Sequence, residues 1–525
     1  MVAFKKKEAE IEEKRVDSSF KINLNVAVPK LPDLTEDLNV VYPLIEPYVQ
    51  AHIYHDSAGE LVYDLKEPVL DKKEEEILVL LEEGIKELIN ISFIAIKDQE
   101  AIIDYLEKNV KVILRELGMR ITKETYFKLM YYIYRDFVGL GNIEAIMRDY
   151  YVEDIECNGV NYPVYIVHRK YRNLKTNMIF KSMEELANFV ERLAQKCGKY
   201  VSYANPILEG SLPDGSRVSA TYSKDVTSRG PSFVIRKFTK EPWSPIRLMQ
   251  LGTVSPEILA YLWLLIDHQF NVMGIGGTGT GKTTMLNVLA FFVPPSARIV
   301  SIEDTREINL LHDNWLPSVA REGLGVANLT GAKYGEVSLF DLLKESLRQN
   351  PDYVVVGEVR GKEAYVLFQG MASGHPSFGT MHADSVGTMI KRLETNPINL
   401  SPTLVNAMDV VCVMAKTKFK DTIVRRLKDI VEIIDVERGE AGLNIPFRWD
   451  PATGRFLYKQ HLEMFNRIIS KSGVTMQYLS KEWDNRTKLL IKLYQNNIFD
   501  FLEVQEIINN YYKNPQKILK QFGIV

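Results

Sequence analysis

Residues Gly276 to Thr283 read Gly-Gly-Thr-Gly-Thr-Gly-Lys-Thr, and this octet restricts the fold more than any other stretch. The run Phe270 to Ile275 before it has the apolar character of a buried strand. Thr284 to Phe292 after it is an apolar helical stretch that stops at Pro294 and Pro295. Strand, glycine-rich loop and helix in that order make a phosphate-binding loop. The glycines allow turns that aim several backbone N–H groups inward, and the helix start adds partial positive charge. Gly276, Gly277, Thr278, Gly279, Thr280, Gly281, Lys282, Thr283 and Thr284 can therefore cradle a polyphosphate. In that arrangement Lys282 reaches the β and γ phosphates and the Thr283 hydroxyl holds Mg²⁺. A glycine-rich turn with a chance Lys-Thr is the competing reading, and the matched flanks argue against it.

At 525 residues the chain has room for two or three domains. Its net charge of −3 gives no general attraction to nucleic acid or anionic lipid, so no nucleic-acid partner is expected. Cys157, Cys197 and Cys412 lie far apart in apolar or helical surroundings, as reduced thiols of a cytoplasmic protein do. The absence of a Cys-x-x-Cys pair removes a four-cysteine zinc site, so no zinc is expected. No apolar run approaches the ~18 residues of a membrane span, and Met1 to Arg15 is charged where a signal peptide needs an apolar core. These features predict a cytoplasmic protein.

Residues 1–39 carry Lys5-Lys6-Lys7, mixed charges, Pro29 and Pro32, the composition of a mobile tail. An amphipathic helix touching acidic lipid or a membrane partner is the alternative for its Lys-rich start. An α/β domain is expected over 40–238, in two subsegments of about 40–140 and 141–238. Its strands are read at Tyr48 to Tyr54, Leu61 to Leu65, Asp154 to Cys157 and Val164 to His168, and its helices at Lys72 to Ile89, Asp98 to Leu117 and Ser182 to Cys197. Pro242 and Pro245 mark a linker over 239–255. The nucleotide-binding domain then spans 256–525, helical from about 461.

Three further segments converge on the phosphate loop. Arg298 to Glu307 is an apolar strand that ends in Glu303, Asp304 and Glu307. Carboxylates at such strand ends hold a metal's water shell or polarise water, with Glu307 as general base or water positioner; a cap on the next helix is the alternative. Pro351 to Arg360 is a second apolar strand, ending in Glu358 as a metal-side acid. Arg348 and Arg360 flank it, either to stabilise a transferred phosphoryl group in their own subunit or a neighbour's, or as surface arginines at helix ends. In Ser373 to His382, His375 and His382 bracket a short apolar strand, an arrangement suited to sensing a γ phosphate; a satisfied core histidine is the alternative for one of them. The basic cluster Lys416, Lys418, Lys420, Arg425, Arg426 and Lys428 reads as a β-hairpin, either facing an acidic partner or simply solvated.

The phosphate loop, the Ile-Glu-Asp-x-x-Glu box, the Val-Val-Gly-Glu-Val-Arg strand and the Gly-His-x-x-x-Gly-Thr-x-His box together resemble the type II/type IV secretion ATPase superfamily. Gly141 to His168, Phe447-Arg448-Trp449-Asp450-Pro451 and Tyr511 to Pro515 resemble its archaeal branch, which holds the archaellum motor ATPase and the assembly ATPases of archaeal type IV pili. The resemblance implies a RecA-like ATPase domain behind an α/β N-terminal domain, assembled as a homohexamer. ATP would lie between the two domains, with Arg217 and Arg236 closing on its phosphates. It also implies a polytopic membrane platform protein as partner, a place at the inner face of the cell membrane, and ATP-driven assembly or rotation of a filament. A nucleic-acid translocase and a scaffold that binds ATP without turnover are the competing classes.

Overall fold

β1 (Asn39–Ile45), β2 (Val49–His55) and β3 (Leu61–Lys66) form a meander whose inward residues, such as Val49, Ala51 and Ile53, are fully buried. The computed structural model describes residues 20–88, 99–238, 242–321, 323, 334–420, 422–437, 440–459 and 461–524. They divide into two units, Met1–Phe238 and Thr239–Val525. In the first, β4 (Val152–Cys157), β5 (Pro163–His168), β6 (Arg172–Ile179), β7 (Ile207–Ser211), β8 (Arg217–Thr221) and β9 (Ser232–Arg236) join the meander. The result is one sheet of nine strands in the order β1-β2-β3-β6-β5-β4-β9-β8-β7. The two expected subsegments are thus stitched together by the parallel β3–β6 pair. Asp149 adds a second tie by accepting from Tyr42 and Tyr63 at 2.6 and 2.9 Å.

The expected mobile tail holds its irregular form but not its freedom over residues 20–38; residues 1–19 lie outside the described residues. Phe20, Leu31 and Leu38 are buried in the core of the first unit. Three backbone carbonyls, of Pro29, Leu31 and Pro32, accept from Tyr151, Lys170 and Tyr171 at 2.5, 2.7 and 2.7 Å. A proline-spaced segment without its own ladder has been satisfied by side chains of the sheet.

In the second unit β10 (Val272–Ile275), β11 (Ile299–Glu303), β12 (Trp315–Val319), β13 (Tyr353–Val356) and β14 (Ser377–Met381) run parallel in the order β12-β11-β13-β14-β10. β15 (Val410–Phe419) adds in parallel to β10, and β16 (Thr422–Glu437), β17 (Glu440–Trp449) and β18 (Phe456–Tyr458) continue antiparallel. Alternate residues serve two cores: Val272, Ile299 and Val355 face one, while Met273, Val300 and Val354 face the other. A parallel sheet buried on both faces explains why these strands read as unbroken apolar runs. The helix Pro256–Asp267 is buried from Ile258 to Ile266 between the sheet and the helices Glu463–Ser472, Met476–Gln495 and Phe501–Lys513. This is the expected RecA-like α/β domain with a helical end.

The predicted linker is narrower than its prolines suggested, and residues 239–241 lie outside the described residues. Pro245 and Pro256 instead open helices behind the caps Ser244 and Ser255, where a missing N–H costs nothing. Ser244 donates to the Phe499 carbonyl at 2.7 Å, and Leu427 N–H donates to Thr253 at 2.8 Å, so 244–255 belongs to the second unit. No helix among the described residues is long and apolar enough to cross a membrane.

Candidate nucleotide site

β10, β14, β13 and β11 lie side by side in parallel, with Ile275 opposite Met381, Gly379 opposite Val356 and Val356 opposite Ile302. The residues that follow them therefore emerge at one edge of the sheet. Gly276, His382, Glu358 and the pair Glu303 and Asp304 meet there.

The loop itself is held open by glycine. Gly276, Gly279 and Gly281 have φ of +155°, +68° and +94°, which side chains resist. A Cβ on Gly276 would lie 2.5 Å from the Met414 carbonyl oxygen and 2.7 Å from Thr280 Oγ1. Thr280 Oγ1 in turn donates to the Gly277 carbonyl at 2.9 Å. Gly281 is the residue before the helix Lys282–Phe291, so the first-turn N–H groups of that helix, including those of Thr283 and Thr284, open toward the loop.

Lys282 is buried, and its ammonium donates to the Gly276 carbonyl (3.1 Å), the Gly277 carbonyl (2.8 Å) and His382 Nδ1 (3.2 Å). Those three acceptors match its three protons. With Nδ1 accepting, the imidazole proton belongs on Nε2, which lies 3.5 Å from Glu358 Oε1. Burial holds the Lys282 pKa below its ordinary value, and the Glu358 and Glu307 carboxylates offset part of that effect. Glu307 is exposed and Glu358 partly so, which leaves both able to meet water.

Glu303 holds the loop that follows its strand, and no helix starts there for it to cap. It is almost fully buried, and its Oε1 accepts from the backbone N–H of Glu307 and Ile308, both at 2.8 Å. Burial pushes its pKa up to about 7 against the pull of those two hydrogen bonds. Its Oε2 is buried without a hydrogen-bond partner. The Asp304 carboxylate is engaged by the Arg360 guanidinium. Thr283, Asp304 and Glu358 offer the hard oxygen donors that suit Mg²⁺. Among the described residues no three acidic, histidine or cysteine side chains converge to hold a metal by themselves.

Two expected participants lie at the other edge of the sheet, and two more belong to the first unit. His375 precedes β14 while His382 follows it, so the seven residue steps between them span about 23 Å at ~3.3 Å each. His375 is therefore at the opposite edge, where its Nδ1 is buried without a partner. Arg348 also precedes its strand, is largely exposed and lies 3.9 Å from Glu345. Arg217 and Arg236, in the first unit, are directly opposed on β8 and β9, and Arg236 pairs with Asp154 at 2.9 Å.

The family profile described as "Type II/IV secretion system protein" matches residues 163–419, from β5 to the end of β15. An uncharacterised protein of Methanocaldococcus jannaschii, MJ0900, is 33% identical over 499 residues, which cover 90% of this chain and 89% of that protein. The chain belongs to the type II/IV secretion system protein family. A second M. jannaschii protein, MJ1287, is 40% identical over 251 residues, 47% of this chain and 91% of its own length. The type IV secretion system protein PtlH of Bordetella pertussis is 27% identical over 280 residues, 49% of this chain and 78% of its own. The archaeal relatives fit the archaeal branch of the superfamily.

In this family member several supporting residues escaped the sequence reading. Asn287 accepts from Asn309 N–H at 3.0 Å and donates to the Thr283 carbonyl at 3.3 Å, which pins the acidic loop to the phosphate-loop helix. A lone amide in an apolar helix, four residues after Thr283, was the available signal. Thr380 donates to the Gly357 carbonyl at 2.5 Å, and Arg392 donates to the His382 carbonyl. Arg425, read as part of a partner-facing or solvated hairpin, instead donates through Nε to the Gly279 carbonyl at 2.9 Å.

Proposed function

We propose that the second unit hydrolyses ATP to ADP and phosphate, and that the polar chain Lys282–His382–Glu358 is the part that carries this reading. Lys282 rests on two loop carbonyls and one imidazole, and a triphosphate offers its ammonium stronger, charged acceptors. When Lys282 turns to the β and γ phosphates, His382 is released toward the γ end while its Nε2 stays near Glu358. Glu358 or Glu307 then orients the attacking water and takes its proton. Thr283 and Glu358, with Asp304 once it leaves Arg360, would hold Mg²⁺. When bound, Mg²⁺ neutralises charge on the phosphates.

The test is substitution with two readouts. Glu358→Gln and Glu307→Gln should keep nucleotide binding, and at least one should lower kcat by at least about a hundredfold, the lower end for losing proton transfer or water positioning. Lys282→Ala should weaken both binding and turnover. Unchanged turnover in both glutamine variants would reject the assignment.

The same reading extends to a homohexamer at the cytoplasmic face of the membrane. Arg217 and Arg236 supply further charge to the triphosphate, and a membrane platform protein receives the work. Family membership supports filament assembly or secretion as the output. Archaellum rotation is the finer alternative, and a deletion strain that still swims but loses other surface filaments would reject it. Hydrolysis stimulated by DNA but not by a platform protein would favour a translocase instead.

A further inference from the structure

We propose that Arg425 and Lys416, on the hairpin beyond β10, form a second anion-binding flank of the site that takes the α phosphate and nucleoside end of the bound nucleotide. This rests on the ATPase reading above. It assigns a role to residues of which one, Arg425, lies outside the 163–419 segment shared with the family profile.

β10, which delivers the phosphate loop, has β14 on one side and β15 on the other. His382 and Glu358 come from the β14 and β13 side, and they mark where the γ phosphate is cleaved. A nucleotide laid across the loop with its γ end there must extend its remaining length toward β15 and β16.

That second flank is basic and close. Arg425 Nε donates to the Gly279 carbonyl at 2.9 Å, and Arg425 Cδ lies 3.9 Å from where a Cβ on Gly281 would be. Anchoring through Nε leaves both terminal nitrogens of the planar fork for other acceptors. Lys416 stands directly opposite Arg425 in the β15–β16 register. Like charges at paired positions repel. Among the described residues no carboxylate forms an ion pair with either one. An anion between or beside them removes the repulsion, and the phosphate nearest the nucleoside is the anion this flank would meet.

Neighbouring contacts show that Arg425 is held in place. Arg426 donates to the Leu251 carbonyl at 2.9 Å, and Leu427 N–H donates to Thr253 at 2.8 Å, so β16 is fixed immediately after Arg425. The guanidinium is thus presented from a positioned strand and not from a free loop.

The experiment measures dissociation constants for ATP, ADP and inorganic pyrophosphate, with Mg²⁺, by competition against a fluorescent ATP analogue. It compares the full-length chain with Arg425→Ala, Arg425→Lys, Lys416→Ala and Lys282→Ala. Arg425→Ala should weaken ATP and ADP alike by about tenfold or more, the effect of losing a charge-assisted contact worth about 1.4 kcal/mol or more. Pyrophosphate, which has neither an α phosphate nor a nucleoside, should bind as before. Arg425→Lys should recover part of the affinity, and Lys416→Ala should lose less. Equal losses for pyrophosphate and ADP would mean that Arg425 acts only by shaping the loop, and would overturn the proposal. So would unchanged ADP affinity in Arg425→Ala while Lys282→Ala loses it. A wild-type chain that binds no nucleotide would overturn the ATPase reading itself.

Discussion

Gly276→Ala tests the geometry of the phosphate loop against a control one residue away. At Gly276 the added methyl would sit 2.5 Å from the Met414 carbonyl oxygen, and at least 3.4 Å is needed for ordinary contact, so the loop must retreat by about 0.9 Å. Neither neighbour can yield, because Met414 belongs to β15 and Gly276 directly continues β10, which is paired with it. The φ of +155° adds about 1–3 kcal/mol of backbone strain for a residue with a side chain. A displacement of about 1 Å in a positioning element costs on the order of a hundredfold. Gly276→Ala should therefore lower kcat/KM for ATP about a hundredfold and reduce stability by about 1–3 kcal/mol. At Gly277 the nearest atoms to an added Cβ are 3.9 Å away and φ is unstrained, so Gly277→Ala should stay within about threefold. Gly279→Ala meets no atom within 4 Å but has a φ of +68°, and it should fall between the two. Steady-state hydrolysis and denaturant unfolding of the three variants make the comparison. If Gly276→Ala hydrolyses ATP like wild type, or Gly277→Ala falls as far, the clash argument is wrong.

Glu303 predicts a pH effect of defined sign. Its folded pKa is raised to about 7 from an ordinary 4.5, so the fold favours the protonated carboxyl. Stability from this source is complete below about pH 4.5 and is lost as pH rises through about 7. At ~1.4 kcal/mol per tenfold change in proton affinity, the loss is about 3 kcal/mol. Glu303→Gln should remove that slope in denaturant melts of nucleotide-free, metal-free protein at pH 5 and 8, and parallel curves for the two proteins would count against it. Glu432 predicts a structural effect far from the loop. Its fully buried carboxylate accepts from Tyr261 (2.6 Å) and Met464 N–H (3.1 Å) on one oxygen, and from Asn444 (2.6 Å) and Glu463 N–H (3.0 Å) on the other. Glu432→Gln sets an amide NH₂ against one of those donor pairs, and two orphaned donors cost about 2–6 kcal/mol. The helical end should loosen from β16, read as a lower melting temperature; an unchanged one would refute the account.

How far the sequence could be read depended on whether a signal was local. The phosphate loop, its flanking strand and helix, and the apolar runs ending in Glu303 and Glu358 are each written in consecutive residues, and each stands where its pattern implied. The hairpin around Lys416 to Lys428 was legible for the same reason. Partners were not. Nothing in Asp304 announces Arg360, and nothing in the basic hairpin announces Gly279, because those contacts are made by sheet order and not by spacing. The prolines near residue 245 misled because a helix start and a linker use the same residue, and only the preceding serine cap distinguishes them.

The two histidines show how strand direction overrides motif membership. His375 and His382 belong to one short sequence pattern, yet β14 runs between them and carries them to opposite edges of the sheet. Gly276 and Glu358 share no local pattern, yet parallel strands bring both to the same edge. In a parallel sheet the ligand crevice lies outside the carboxyl ends of the strands, so residues that follow a strand stand on its side and residues that precede one do not. Applied to the arginines, the rule separates Arg360, which follows β13 and contacts Asp304, from Arg348, which precedes β13 and reaches only toward Glu345. Whatever Arg348 and His375 contribute is made at that other edge, away from Lys282.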